Sequence, residues 1–407
     1  MNNDLFNFTP EMQLLFTCCG LSMKEDGQER EESIKRLSAL VSQERIDWEA
    51  FINLVEQQRV HTLVHSNIHE YATMHIPTDV QLALRTRSHN KSRQMLTLAA
   101  ELVRLGKLFA QHDIFMLSFK GPLLSQQLFG NLGLRYSRDL DLLIKPQDLD
   151  QAEQLLLSNG YTRQLPDFVL TPRQKKAYIK GWQHVSFYHR SRKTLVELHW
   201  RLFANPHFLP SQYVQKMMTS SQQLSIAGRQ ITSFSDEDTL LYLCLHGAKH
   251  GWARLKWLCD IAQFLHSEQA INWQAWVENV LALSLQRPVA QALLLAHQLF
   301  DAPLPSATRL LTTESQIIDQ LVTHSFRALM KSEEELSAVG RLNAFRYMPY
   351  RMKLKANVRY QWSDFSRIWL SVKDWNTYPL PDALFPLYYI LHPFFWLRRF
   401  YLSRKIS

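Results

Sequence analysis

Apolar residues recur at helical spacing through most of the first 112 positions. Residues 31–41 alternate charged and apolar side chains in an amphipathic pattern, and residues 97–109 repeat apolar positions three and four apart. Asp47-Trp48-Glu49-Ala50 has the composition of a helix start. The expectation for this region is a helical packing layer, most of it without chemistry.

The period changes at Asp113. Ile114-Phe115-Met116-Leu117-Ser118-Phe119 is short, apolar and aromatic, as a central strand is, and Lys120-Gly121-Pro122 ends it. Pro122 has no amide proton to lose, so it suits the first turn of a helix running on to Phe129, which Gly130 and Gly133 then close. A second strand is expected at 140–144 and a helix at 147–157, ended by Asn159-Gly160. Residues 183–188 and 195–200 read as a hairpin joined by the basic turn His189-Arg190-Ser191-Arg192-Lys193. Helix returns at Asp236-Glu237-Asp238, where acids meet unpaired amides, with long segments at about 238–267, 286–299 and 314–330. This gives four regions: a helical 1–112, a mixed core at 113–235, a helical 236–335, and a basic, aromatic 336–407.

Composition narrows the class. At 407 residues the chain exceeds the usual single domain, and 46% hydrophobic with 12% aromatic residues excludes a disordered one. Lys and Arg outnumber Asp and Glu by 46 to 37, a diffuse excess that favours anionic partners without choosing among them. There is no zinc finger, RNA-binding aromatic signature or long basic tract, so sequence-specific nucleic-acid binding is not expected. Four irregularly spaced cysteines make neither a disulfide framework nor a cysteine metal site, which fits a reducing, cytoplasmic setting. The first seven residues lack the basic-then-apolar order of a signal peptide, and no uncharged apolar run approaches the ~20 residues of a spanning helix.

The chemistry concentrates in the core. Asp139 and Asp141 are two apart, so in a strand both carboxylates leave the same face, while Leu140, Leu142, Leu143 and Ile144 mark that strand as buried. Adjacent carboxylates repel, and a divalent ion removes the conflict. Mg²⁺ is the expected occupant, with Mn²⁺ as the alternative. Glu197 sits in Val196-Glu197-Leu198-His199 and offers a third carboxylate for the ions or for an attacking hydroxyl; the plainer alternative is a pair with Arg192 or Lys193. His199 positions Glu197 or substrate, or is structural. Lys120, Gly121, Arg135, Ser137 and Arg138 surround the acids in sequence. Gly121 permits close approach of backbone amides to a phosphate, and Arg138 either binds phosphate or tethers a carboxylate. His246 and His250 are four apart on one helical face with Trp257 nearby, and the absence of a Glu after His246 excludes the zinc-protease signature.

Phe119-Lys120-Gly121, the stretch 135–144, Val196-Glu197-Leu198-His199-Trp200 and the segment 241–262 together resemble the nucleotidyltransferase superfamily related to DNA polymerase beta. More closely they resemble a poorly characterised bacterial nucleotidyltransferase family often encoded near cell-surface polysaccharide genes. The resemblance covers about 114–265. It implies an α+β fold, a mixed sheet with helices, here flanked by largely helical N- and C-terminal regions. It also implies divalent ions on Asp139 and Asp141, with Glu197 completing the triad, and transfer of a nucleoside monophosphate from a nucleoside triphosphate such as ATP, releasing pyrophosphate. Under it, His246, Lys249, His250 and Arg254 wall the site and contact phosphates or base; the alternative is a packed interdomain helix. One departure stands out. The superfamily's turn carries Gly-Gly or Gly-Ser, whereas Gly121-Pro122 supplies no hydroxyl, so Lys120 or Ser125 would have to compensate. That leaves a non-catalytic nucleotide-binding sensor or protein-interaction module as the competing reading.

The C-terminal region is aromatic and basic, with Phe394, Phe395, Trp396, Phe400 and Tyr401 beside Arg398, Arg399, Arg404 and Lys405. It packs on the core, meets the inner face of a membrane peripherally, or forms a protein interface. Pro386 and Pro393 are expected to interrupt any long helix there.

Overall fold

The structure is a computed structural model that describes residues 8–24, 27–42, 46–72, 75–267, 271–312, 314–331 and 347–404. Five helices lead the chain: α1 (Pro10–Leu21), α2 (Gln28–Val41), α3 (Trp48–Gln58), α4 (His61–Tyr71) and α5 (Thr78–Ala110). Asp47 caps α3 as its sequence suggests, accepting from the Ala50 amide at 2.9 Å. The middle of the chain runs β1 (Met116–Ser118), α6 (Gly121–Phe129), β2 (Asp139–Ile144), α7 (Leu149–Ser158), β3 (Thr162–Leu165), α8 (Pro172–Gly181), β4 (His184–His189), β5 (Thr194–His199), α9 (Ser211–Thr219), β6 (Gln222–Ile226) and β7 (Arg229–Ser233). Helices α10 (Asp236–Lys249), α11 (Leu255–His266), α12 (Trp273–Ala282), α13 (Gln286–Phe300) and α14 (Ser315–Leu329) follow. The C-terminal layer holds α15 (Met348–Lys353), α16 (Val358–Ser366), α17 (Val372–Thr377) and α18 (Leu387–Arg404).

Five strands form one mixed sheet in the order β1-β2-β5-β4-β3, and the fold is α+β. Only β2 and β5 run parallel; the expected β4–β5 hairpin is present and antiparallel. Alternation then sorts the side chains. Leu140, Leu142 and Ile144 of β2, Val196 and Leu198 of β5, and Val185 and Phe187 of β4 pack with Met95, Leu98, Leu102 and Leu105 of α5 and with Ala152 and Leu156 of α7. Each such fully buried aliphatic side chain contributes roughly 1.5–3 kcal/mol. The opposite face carries the polar residues, and a second apolar core of α1–α4, α6 and α10–α14 lies beyond it.

The structure differs from the sequence expectation at several points. The segment expected as one helix over 238–267 is two, α10 and α11, because Gly251 (φ 61°) and Trp252 (φ 56°) both take left-handed backbone. That turn folds Trp252 over Gly247, where a Cβ would fall 2.2 Å from the indole. Helix α18 runs through Pro393 rather than stopping there. The ~3 kcal/mol cost of an interior proline is set against Tyr388, buried beside Phe385 and Trp375, and Phe395, stacked on Tyr378 at 4.2 Å. Strand β3, helix α8 and the β6–β7 hairpin were not signalled by the pattern used above. The expected boundary at 335/336 and Lys405 lie outside the described residues, as do the side chains of Arg399, Phe400, Tyr401 and Arg404. Among the described residues no helix is long and apolar enough to cross a membrane.

Candidate active site

Strand register assembles the acids. Pairing of β2 with β5 sets Asp141 opposite Glu197 and Leu143 opposite His199. On the other side of β5, Ser186 faces Glu197 and His184 faces His199. Directly opposed residues share a face, so Asp139, Asp141, Glu197, His199 and His184 project together.

Asp141 is the hub. Its Oδ1 accepts from Lys120 Nζ at 3.1 Å and lies 3.2 Å from His199 Nε2. His199 Nε2 is also 3.3 Å from Glu197 Oε2, and His184 Nδ1 approaches the same oxygen at 3.5 Å. Lys120 reaches the acids from the turn after β1. There Gly121 takes φ 65°, and a Cβ would come within 3.4 Å of the Asp139 carbonyl oxygen, so the turn packs tightly on the start of β2. Ser137 Oγ donates to Asp139 Oδ1 at 3.1 Å.

The three carboxyls are not shifted alike. Burial raises the Asp141 pKa, but Lys120 and then His199 outweigh it and leave the group well below the ordinary carboxylate range. Glu197 is likewise lowered, with its hydrogen bond to His199 overcoming burial. Asp139 goes the other way, raised by burial and then by the charges of Asp141 and Glu197. Burial would depress His199, yet its bonds to Asp141 and Glu197 carry it above the usual histidine value. His184 is pushed down to about 4, first by burial and then by His199. The crowding at Asp139 is the conflict a divalent cation relieves, and the donor set of hard carboxylate oxygens fits one.

The remaining sequence candidates divide. Arg138 is exposed and lies in one electrostatic group with Arg254 and Asp139; the group also includes Arg59, whose pKa is lowered by burial and by the other two arginines. Sequence reasoning passed over Arg59, which ends α3 some eighty positions before the acids; only its left-handed φ of 60° marks it locally. Arg135 does not reach the carboxylates. It makes a bidentate pair with Asp260 of α11 at 2.6 and 2.8 Å, fastening the chain before β2 to that helix. Ser125 is committed as well, donating to the Asn131 carbonyl at 2.7 Å and accepting from the Arg135 amide. The ion partners of Glu197 are His184 and His199 rather than Arg192, which lies 3.6 Å from Glu101.

Helix α10 touches the site through Tyr242 rather than through its histidines. The Tyr242 ring packs on Phe119 at 5.1 Å, and Phe119 packs edge-on against His199 at 5.1 Å. His246 meets the Tyr242 hydroxyl at 3.2 Å through Nδ1, and together with His250 it forms an aromatic cluster with Trp257 at 5.2–5.3 Å. Lys249 sits beside Phe203, its pKa pushed down to about 7 by burial and by Lys120, Arg367 and Arg351. Lys256 of α11 donates to the Tyr136 carbonyl and is also pushed down to about 7, by burial and Arg135. A cleft of about 1120 Å³ opens at His184, bounded by Tyr178, Trp182, Arg201, Arg367 and Trp369. The 363–373 segment thus forms one of its walls.

A mixed sheet that gathers three acids beside a lysine on a glycine turn is an arrangement able to hold divalent cations and the phosphates they bind. The model of a family described as uncharacterised nucleotidyltransferases matches residues 44–301, and the chain belongs to that family. No curated protein matches the chain. The matched span starts at the edge of α3 and ends at the end of α13, so it takes in Arg59 and α10–α11 as well as the sheet.

Proposed function

We propose that Asp139, Asp141 and Glu197 form the active site of a metal-dependent transferase, with residues 113–235 as its catalytic unit between helical regions. It moves a nucleoside monophosphate from a nucleoside triphosphate to an acceptor hydroxyl or phosphate. The acceptor oxygen attacks the α-phosphorus, the bond to the β-phosphate oxygen breaks, and pyrophosphate leaves. The observation that carries this reading is the like-charge pressure on Asp139 from Asp141 and Glu197 across the β2–β5 pairing.

Mg²⁺ or Mn²⁺ held by the three acids would supply charge neutralisation at the transferring phosphate. The chain's own residues do the rest. Glu197, kept ionised by His199, is placed to take the acceptor proton. Lys120 fixes Asp141 in place. Ser125 is bound to its loop, so it does not compensate for the hydroxyl that Pro122 lacks; Arg59, Arg138 and Arg254 supply positive charge for the phosphates instead. The cleft at His184, with arginines and aromatic rings in its walls, suits an anionic acceptor such as an acidic or phosphorylated saccharide of cell-surface polysaccharide metabolism.

The test is incubation of the protein with Mg²⁺, each nucleoside triphosphate and a cell extract, followed by mass spectrometry for nucleotidylated acceptors and assay of pyrophosphate. The transferase produces both. Nucleotide binding without either product would favour the sensor.

A second reading concerns place in the cell. Leu387, Ile390, Phe394 and Leu397 are all exposed on α18 at spacings of three and four, with Arg398 beside them. This stripe suits peripheral contact with the inner face of an anionic membrane by a cytoplasmic enzyme. Liposome flotation that is lost in Ile390→Ser/Phe394→Ser tests it.

A further inference from the structure

The histidines beside the acids carry a separate message. His199 Nδ1 lies 3.3 Å from the Arg201 carbonyl oxygen, which can only accept, so that nitrogen carries the proton. The opposite nitrogen, Nε2, faces two carboxylate oxygens, Asp141 Oδ1 at 3.2 Å and Glu197 Oε2 at 3.3 Å, and donates to them until a metal ion displaces its proton. His184 Nδ1 is buried, makes no hydrogen bond and stands 3.5 Å from that same Glu197 oxygen. Ligand atoms of His184, Glu197 and His199 all fall within 4.8 Å of one another. Donors bound at about 2.0–2.2 Å in tetrahedral geometry stand roughly 3.4 Å apart, and the two edges of this triangle that meet at Glu197 Oε2, 3.3 and 3.5 Å, match that spacing. The carbonyl on the far nitrogen of His199 is the support a ligating imidazole receives.

We propose that His184, Glu197 and His199 bind a transition-metal ion, one that takes imidazole nitrogen in preference to an all-oxygen shell. Co²⁺ and Zn²⁺ meet that description, and Mg²⁺ and Mn²⁺, which favour oxygen ligands, do not. The inference rests on the proposed transfer only through Glu197, which the two sites share. It makes the enzyme one that needs two chemically different cation positions, Asp139–Asp141 and His184–His199.

Co²⁺ is the probe, added to the full chain in excess Mg²⁺ and followed by visible absorption. The wild type gives a saturable band at one Co²⁺ per chain. His184→Ala, checked for folding by circular dichroism, binds Co²⁺ at least about 10-fold more weakly, the scale on which metal sites respond to lost support. Absence of the band, or equal affinity in the two proteins, overturns the site. Zn²⁺ titration of the wild type alone, read by imidazole nitrogen NMR, gives a second check that needs no variant: two imidazoles shift if the site exists, and none shifts if His199 merely holds a proton between the acids. If Asp139→Asn abolishes nucleotide transfer while Co²⁺ gives no band, this inference falls and the transferase stands. If Co²⁺ binds through His184 while Asp139→Asn transfers normally, the reverse holds.

Discussion

Two groups of buried charge lie on either side of the loop before β2, and they are built on opposite terms. On the α11 side, Arg135 and Asp260 meet in a bidentate pair with 3% and 0% of their side chains exposed. On the sheet side, three acids face one another, and burial with two like neighbours pushes Asp139 toward its neutral form. The first group is balanced in charge, though Arg135 Nη1 makes no hydrogen bond, and losing either partner damages it. The second is incomplete as a set of protein charges and improves when a cation is brought to it. A buried ion pair fastens the framework; unresolved repulsion in the same framework marks where a ligand is expected.

Substitutions sharpen this contrast. Asp260→Ala leaves Arg135 buried without its partner and is expected to cost about 3–5 kcal/mol in urea unfolding; a change below the error of that measurement would remove the structural role assigned to the pair. Asp139→Asn acts on the other side. It is expected to leave stability unchanged or slightly raised without metal, because repulsion is relieved, while transfer falls by about 10²–10³-fold, the scale of losing one preorganised charge. Gly247→Ala drives a Cβ into the Trp252 ring at the α10–α11 turn. A loss of roughly 1–3 kcal/mol is expected from such overpacking, read by thermal unfolding, and no loss would mean that Trp252 can leave the turn.

The smallest effect is a pH dependence. Lys249 has its pKa lowered to about 7 in the folded chain, against about 10.4 when unfolded. Between those values the unfolded state keeps a proton that the folded state has released, so this group's contribution to stability rises as pH rises through that window. At pH 6 both states are charged and the half-buried ammonium, facing Lys120, Arg367 and Arg351, is unfavourable. Lys249→Met should therefore be more stable than wild type at pH 6, with the gap narrowing toward pH 9. A constant gap across that range would place Lys249 in water.

Much of the sheet was legible because strand alternation is local. Asp139 and Asp141 follow the period of two among leucines, Glu197 and His199 do the same on β5, and the hairpin turn between β4 and β5 announces itself. The β6–β7 hairpin had a readable sign that was missed: two alternating runs joined by Ala227-Gly228, both with positive φ. Other features depend on partners far away in sequence. Nothing near Glu197 says that it lies opposite Asp141 rather than slipped by two residues, which is a property of long-range parallel pairing. His184 gains its interest only from facing His199 across β4–β5. Arg135 and Ser125 resemble phosphate ligands by proximity in sequence, yet both are spent on holding the loop. Arg59 comes from a helix expected to be chemically silent, and only folding brings it near Asp139.

The central claim, that repulsion among Asp139, Asp141 and Glu197 marks the reacting centre, is tested most directly by transfer of label from α-phosphate-labelled nucleoside triphosphates to acceptors in a cell extract. Wild type and Asp139→Asn are compared at equal folded concentration with Mg²⁺ present. Labelled acceptor in the wild-type reaction, and its loss in the variant, is the predicted result. Equal labelling by the two proteins would contradict it.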